Sequence, residues 1–170
     1  MAHVKNLFCD ENYQAVLSVR SGARLSVEAH VDRVMVKDQR ILGNLLRLES
    51  GKRVVDYCGG LQTQIAPHMR KIVTDWMLEV CEDQQCQPEV FFLAVNYLDR
   101  FLSLVNIKKT QFQLLASVCI LLASKFSQVL PITTDRLIHL TDYSITKEEL
   151  KQWELLVLEI LQWELSASTA

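Results

Sequence analysis

Turn-forming residues are scarce in the larger, C-terminal part of this sequence. The 170 residues include five glycines, and none of them follows Gly60. In residues 61–170 the only prolines are Pro67, Pro88 and Pro131. A long segment with so few turn residues is typical of helices joined by short connections. It also lacks the glycine-rich loop with which many enzymes bind phosphate groups.

A strong excess of charge and a long apolar run are also lacking. The net charge is −2 and the pI is near 6.1, so no basic surface for nucleic acid is indicated. Ser117 and Ser124 interrupt the longest apolar stretch before it reaches the roughly 18 residues of a membrane span. The N-terminus lacks the basic start and apolar block of a secretory signal. We expect neither a nucleic-acid nor a membrane partner.

The five cysteines do not form a disulfide framework. Their number is odd, no two are spaced as C-x-x-C, and Cys119 lies inside the most apolar stretch. This usage is typical of a reducing compartment, so we expect a protein of the nucleus and cytoplasm. Neither metal-ligand spacing nor a Ser/His/Asp or Cys/His set is suggested by the sequence. We therefore expect no metal, no cofactor and no catalytic residue.

The apolar spacing predicts a bundle of five helices preceded by one more. Asp38 is placed to cap the preceding helix, which is rich in leucine, and Gly51 to end it. Thr146 and Glu149 form a capping box at the start of the last helix. The five helices of the bundle are expected at about 68–82, 88–102, from Thr110 to before Pro131, 135–141 and 146–163.

Residues 1–31 differ from the rest. The alternation of apolar and polar residues around Ser21-Gly22 resembles a hairpin signal. An isolated hairpin is marginal in water, and nothing later in the chain supplies strands to pair with it. We therefore expect a mobile N-terminal arm over residues 1–31.

Two charged residues occupy unexpected positions on the predicted helices. Residues 114–128 form a helix that is apolar almost all the way round, as expected for the centre of a bundle. An apolar row that begins at Leu114 and recurs at every third or fourth position ends in Lys125. In the last helix Glu154 lies at the apolar border, whereas Leu155 lies in the solvent strip. Either these two charges pair with each other, or the lysine reaches water, or a partner binds them.

Four segments resemble motifs of the cyclin box in their order and spacing. They are MRKIVTDWMLEVC at 69–81, NYLDRFLS at 96–103, LASK at 122–125 and WELLVL at 153–158. The likeness extends over roughly residues 38–165 and is closest to the D-type cyclins. It implies an all-α fold, a five-helix cyclin-box bundle around a buried central helix, within residues 32–170.

The resemblance implies a cyclin-dependent kinase of the class that D-type cyclins activate as the partner. In such cyclins the lysine of the A-S-K motif and a glutamate of the last helix bind the regulatory helix of the kinase, and these are Lys125 and Glu154 here. The cyclin holds that helix inward so that its glutamate can meet the ATP-site lysine, and it does no chemistry itself. The matching apolar positions around the charges are Leu122, Phe126, Trp163 and Leu165.

The resemblance also assigns two sets of residues on the first helices of the bundle. Arg70 and Asp99 match a structural ion pair that ties the first two helices together. A patch that docks Arg-x-Leu peptides of substrates and inhibitors is matched by Met69, Val73, Trp76 and Gln113. The alternative is that this apolar stripe simply packs into the core.

The N-terminal arm contains a second motif. Leu7, Cys9 and Glu11 form an L-x-C-x-E sequence, which resembles the peptide by which D-type cyclins bind the pocket of retinoblastoma-type proteins. An extended segment there would bury Leu7 and Cys9 in grooves while Glu11 accepts amide hydrogen bonds. By composition, such a pattern arises by chance in roughly one chain in a hundred of this size.

Together these features predict a regulatory subunit that binds and activates a kinase, promotes G1/S progression and directs the kinase to retinoblastoma-type proteins. The family normally adds a second cyclin box and a tail with a phosphorylated degradation signal, whereas this sequence ends at Ala170, so we expect the second box to be absent. One alternative is a single-box competitor that binds kinase or pocket without activating. Another is a cyclin-like transcription factor, which the acidic pI disfavours.

Overall fold

The computed structural model describes residues 37–51, 54 and 56–167. These residues form helices and no strand, which confirms the predicted all-α class. The mobile arm and hairpin considered for residues 1–31 lie outside the described residues. The helices are α1 (Gln39–Gly51), α2 (Pro67–Asp83), α3 (Pro88–Leu102), α4 (Phe112–Ser127), α5 (Thr134–Leu140) and α6 (Lys147–Ile160), with a 3₁₀ turn at Lys109–Gln111 before α4.

The helices begin close to where the sequence predicts. The Asp38 carboxylate accepts a hydrogen bond of 3.0 Å from the backbone N–H of Arg40 in the first turn of α1. Pro67 and Pro88 are the first residues of α2 and α3, where a missing N–H leaves no helical bond unmade. At the start of α6 the Thr146 hydroxyl accepts from the backbone N–H of Glu149, and the Glu149 carboxylate accepts from the backbone N–H of Thr146, as expected for a capping box.

Three helices end in a residue with left-handed backbone that is not glycine. These residues are Gln85 (φ 51°), Asp142 (φ 50°) and Gln162 (φ 55°). At the end of α6 the N–H of Trp163 donates to the carbonyl of Leu158 at 2.9 Å, which closes the helix. The prediction that the last helix reaches Trp163 is therefore wrong, because the backbone turns before that residue and α6 ends at Ile160.

Helix α4 is the centre of the bundle and packs against α2, α3, α5 and α6. Residues 114–124 are all buried, including Ser117 and Ser124. The Ser117 hydroxyl donates to the carbonyl of Gln113 at 2.8 Å, and the Ser124 hydroxyl accepts from the N–H of Ile132 at 2.6 Å. The two buried hydroxyls therefore have hydrogen-bond partners inside the protein.

One helical segment, Lys109–Ser127, is long and apolar enough to cross a membrane by length and composition alone. In this fold 67% of its most apolar window is buried inside the protein. The other helices of the bundle thus supply the apolar surroundings of this segment.

The segment between α1 and α2 is hydrogen-bonded to the end of α3 through the buried side chain of Gln62. The side-chain amide of Gln62 donates to the carbonyls of Leu102 at 2.7 Å and Val105 at 2.6 Å. Its oxygen accepts from the N–H of Ile107 at 3.2 Å. One buried side chain thus satisfies three backbone groups and holds this segment against the end of α3.

Candidate partner-binding site

The two charged residues in unexpected positions meet between α4 and α6. Lys125 Nζ lies 2.7 Å from Glu154 Oε1, and the two side chains are 47% and 19% exposed. The first of the three possibilities, that the charges pair with each other, is therefore observed. Within the described residues each of the two side chains makes this one hydrogen bond. Because an ammonium group has three donors, Lys125 keeps capacity for further acceptors.

Large apolar side chains next to this ion pair along the chain are exposed. Phe126 follows Lys125 on α4 and is 51% exposed, and Leu155 follows Glu154 on α6 and is also exposed. We refer to these four residues as the 125/154 face. Exposed large apolar side chains around a few charges are typical of an interaction surface.

The remaining residues predicted for kinase binding differ in accessibility. Trp163 is 67% exposed just beyond α6, whereas Leu165 is half-buried against the core. Leu122 is only 3% exposed and belongs to the core cluster. This burial leaves little of the Leu122 side chain for a partner to contact, and kinase-binding roles for Leu122, Trp163 and Leu165 stay predictions.

The segment that follows α6 is tied to α3 by two side chains that the sequence analysis missed. The Tyr97 hydroxyl donates to the carbonyl of Leu165 at 2.7 Å, and Arg100 Nη1 donates to the carbonyl of Glu164 at 2.8 Å. These contacts hold the backbone at Glu164 and Leu165, directly after Trp163. Both donors belong to the NYLDRFLS motif, but helical periodicity could not indicate backbone acceptors far along the chain.

The ion pair expected between the first two helices of the bundle is present. Arg70 Nε and Nη2 donate to the two carboxylate oxygens of Asp99 at 2.8 and 2.6 Å. The Tyr57 hydroxyl donates to the same carboxylate at 2.7 Å. The hydrogen bond to Asp99 raises the pKa of Arg70, and burial together with that carboxylate raises the pKa of Tyr57. This network joins α2, α3 and the segment before α2.

The residues of the expected peptide-docking patch lie partly in the core and partly at the surface. The three on α2 are half-buried and pack against the core, while Gln113 at the start of α4 is exposed. Both interpretations of this stripe are compatible with such intermediate burial. A docking role for Met69, Val73, Trp76 and Gln113 stays a prediction.

No group of three or more His, Cys, Asp or Glu side chains that could hold a metal ion occurs in the part of the chain that the structure describes. The charged residues of the 125/154 face are paired with each other across two helices. The arrangement therefore offers a surface for binding, with fixed charges among apolar side chains.

Comparisons with known proteins identify the class of this bundle. The family described as "Cyclin, N-terminal domain" matches residues 40–166. The solved structure of a viral cyclin from herpesvirus saimiri superimposes with a TM-score of 0.69 at 32% identity, covering 76% of this chain and 56% of that one. The helical fold predicted from the four motifs is a cyclin box, and the chain belongs to the cyclin family.

Individual relatives narrow the assignment within the family. The chain is 49% identical over 152 residues to G1/S-specific cyclin-D3 of Bos taurus, covering 88% of this chain and 51% of that protein. It is 48% identical to the Homo sapiens cyclin-D3 over the same length and coverage. Against G1/S-specific cyclin-D2 of Xenopus laevis it is 46% identical over 144 residues, covering 83% and 49%. The sequence places the chain among the D-type cyclins, and it spans about half the length of these relatives.

Proposed function

We propose that the chain is a regulatory subunit of a cyclin-dependent kinase. It binds and allosterically activates a kinase of the class that D-type cyclins activate, and it performs no chemistry itself. In the nucleus and cytoplasm it promotes G1/S progression by directing the kinase to retinoblastoma-type proteins. The observation that carries the proposal is the half-exposed Lys125–Glu154 pair, flanked along the chain by exposed apolar residues.

The chemistry of the 125/154 face supports a helix or loop end of the kinase as its ligand. Lys125 can donate to backbone carbonyls, and the second oxygen of the Glu154 carboxylate can accept from backbone N–H groups. Such unpaired groups are found at helix ends. The exposed rings and leucine beside the charges would bury apolar surface in the same contact.

Activation in this proposal is a shift between two conformations of the kinase. A cyclin that binds the inward position of the kinase regulatory helix better than the outward position stabilises the inward one by the difference in binding free energy. The pairing of the kinase glutamate with its ATP-site lysine then follows from the position of the helix. The role of this chain is to present a rigid surface, for which a central helix buried over residues 114–124 is suited.

Reversing one charge of the face tests the proposal. Lys125→Glu places two carboxylates together where the kinase would contact them. We expect a loss of about 2–5 kcal/mol of binding free energy, which is roughly a 30- to 5,000-fold weaker complex, and a parallel loss of kinase activation. Kinase affinity can be measured by calorimetry and activation by phosphate transfer to a pocket protein.

Two further variants separate partner binding from internal stability. Lys147→Glu reverses a cation that pairs with Asp135 at 3.2 Å elsewhere on the surface, and it should leave kinase binding unchanged. The double variant Lys125→Glu with Glu154→Lys restores an internal ion pair with reversed polarity. If the double variant binds the kinase normally, the pair serves only the fold of the chain, and the proposal is wrong.

The same assay distinguishes an activator from a competitor. A competitor would occupy the kinase, or the pocket protein, without raising phosphate transfer. Binding of the purified chain to the kinase with no gain in turnover would favour that alternative. A gain that Lys125→Glu abolishes would favour the regulatory subunit.

The pocket-binding part of the proposal depends on Leu7, Cys9 and Glu11. We expect a peptide of residues 1–15 to bind a retinoblastoma-type pocket, and Glu11→Ala to weaken binding about tenfold or more because a charged hydrogen-bond acceptor is lost. Asp10→Ala is the matched control, since it removes a carboxylate at a variable position of the motif. Equal losses from both changes, measured by fluorescence anisotropy, would indicate general charge attraction instead.

A further inference from the structure

Two cysteines meet at the end of α2, although their spacing in the sequence suggests no pair. The N–H of Cys86 donates to the carbonyl of Cys81 at 2.9 Å, and the N–H of Gln85 donates to the carbonyl of Glu82 at 3.0 Å. Gln85 has left-handed backbone with φ 51°. These are the two hydrogen bonds and the left-handed residue of a Schellman motif.

The Schellman motif brings the side chains of its first and last residues together. The residue three positions inside the helix end and the residue two beyond the cap are in contact in this motif, and here both are cysteines. The Cys86 side chain raises the pKa of the Cys81 thiol, which requires the two thiols to lie close together. A disulfide requires Cα atoms about 4.4–6.8 Å apart and converging Cβ atoms. The backbone hydrogen bond from Cys86 to Cys81 already holds the two residues side by side.

The two thiols differ in accessibility. Cys81 is buried in the core cluster, whereas Cys86 is half-buried at its edge. The hydrogen bond to Cys86, together with burial, raises the pKa of the Cys81 thiol. Cys81 is thus the protonated inner thiol, and the outer sulfur of Cys86 is the one that a small oxidant can reach.

We propose that Cys81 and Cys86 are a modification site, at which a small peroxide oxidant converts the two thiols into a reversible disulfide. The Cys86 thiol releases its proton, its thiolate attacks one oxygen of hydrogen peroxide, and the O–O bond breaks to leave a sulfenic acid, while the departing hydroxide takes up the released proton as water. The Cys81 sulfur then attacks the sulfenic sulfur, gives up its proton, and the S–O bond breaks to release a second water as the S–S bond forms. The peroxide gains two electrons and the thiol pair loses two.

The other cysteines of the described part of the chain differ in setting. Cys119 is completely buried in the middle of α4, out of reach of an oxidant. Cys58 is half-buried in the turn before α2, beside Asp56, whose carboxylate accepts from its backbone N–H at 3.1 Å. Burial raises the pKa of each of these thiols, so neither is favoured as a thiolate.

Trypsin isolates the pair from every other cysteine of the sequence. Cleavage after Lys71 and Arg100 gives a peptide of residues 72–100, which contains only Cys81 and Cys86. The reduced full-length chain is treated with hydrogen peroxide, its remaining thiols are alkylated in denaturant, and the peptides are weighed. We expect this peptide to lose two hydrogen atoms, to resist alkylation at both positions, and to regain both thiols with dithiothreitol.

Serine variants test the order of the two steps. In Cys81→Ser the sulfenic acid on Cys86 has no thiol to react with, so we expect dimedone to label Cys86, whereas in the wild-type chain the disulfide forms first. The oxidised wild-type chain should also melt a few degrees higher than the reduced one, because the bond constrains the unfolded chain. Three results after peroxide treatment of the wild-type chain would overturn the proposal. They are dimedone labelling of Cys86, a disulfide between Cys86 and a cysteine other than Cys81, and oxidation of Cys58 while Cys81 and Cys86 stay reduced.

Discussion

Two ion pairs of this cyclin box have the same separation in sequence and different surroundings. Arg70–Asp99 and Lys125–Glu154 each join residues 29 positions apart and each tie two helices together. Asp99 is 13% exposed and accepts from both Arg70 and Tyr57, so its two oxygens are occupied by three donors. Glu154 accepts one hydrogen bond from a lysine that is half in solvent.

The two ion pairs differ in the capacity that they leave for further hydrogen bonds. The planar guanidinium of Arg70 contacts both oxygens of the Asp99 carboxylate in one fixed geometry. The carboxylate therefore has little hydrogen-bonding capacity left for a partner molecule. The ammonium group of Lys125 sits on a flexible stem and uses one of its three donors within the described residues. The first pair therefore belongs to the structure, and the second pair has capacity left for a partner.

The largest effect is expected from breaking the first pair. Asp99→Ala leaves the Arg70 guanidinium and the Tyr57 hydroxyl without their acceptor in a mostly buried place. We expect the free energy of unfolding to fall by about 2–4 kcal/mol, measured by urea denaturation. A loss below about 1 kcal/mol would place this pair with ordinary surface ion pairs and remove the contrast.

Replacing Arg70 by lysine and Lys125 by arginine tests the same difference between the two ion pairs. Arg70→Lys keeps the charge but loses the bidentate contact, so we expect a loss of about 1–2 kcal/mol in the free energy of unfolding. Lys125→Arg changes a half-exposed cation and should alter that free energy by less than about 0.5 kcal/mol. Similar losses from the two variants would contradict the distinction between a geometric and an adaptable ion pair.

A smaller effect than that of Asp99→Ala is expected at Tyr57, the third member of the first network. Tyr57→Phe removes one hydrogen bond to Asp99 and should cost about 1 kcal/mol at neutral pH. Because burial and the Asp99 hydrogen bond raise the pKa of Tyr57 above its usual 10.0, the protonated phenol stabilises the fold below pH 10.0, and this contribution declines as the pH rises further. The variant should therefore show a shallower loss of stability above pH 10.0 than the wild-type chain.

Tyr97→Phe is the comparison for that effect. The stability of both variants is measured by thermal unfolding at several alkaline pH values. Tyr97 is completely buried, and burial raises its pKa as well, but its hydroxyl donates to a backbone carbonyl beside the C-terminal segment. If only Tyr97→Phe changes the slope, Tyr57 does not carry the alkaline sensitivity of the Arg70–Asp99 network.

The helix starts are marked by local signals in the sequence, whereas the left-handed residues that follow three of the helices are not. Starts are marked by side chains that act locally: Asp38 and Thr146 accept from nearby N–H groups, and Pro67 and Pro88 fit a first turn. Ends are usually marked by glycine, and this sequence has none after Gly60. At Gln85, Asp142 and Gln162 the left-handed backbone is adopted without it. Since such a conformation costs a non-glycine residue roughly 1–2 kcal/mol, packing elsewhere has to offset it.

The candidate site, too, could be predicted only in part from the sequence. Helical periodicity alone placed Lys125 and Glu154 in positions that an isolated bundle would fill with other residues. Periodicity could not indicate that Leu122 is covered by neighbouring helices, because a single-helix pattern does not contain the depth of its surroundings. Nor could it indicate that Tyr97 and Arg100 reach backbone carbonyls beyond α6.

Apolar spacing and local caps act within a few residues of each other, so they specify the helical class, the order of the helices and the burial of the central one. The contact between Lys125 and Glu154, and the three donors at Asp99, arise only when the helices pack together. The approach of Cys86 to Cys81 likewise follows from the left-handed turn at Gln85. Contacts of this kind depend on how helices pack and where they stop, which only the folded chain specifies.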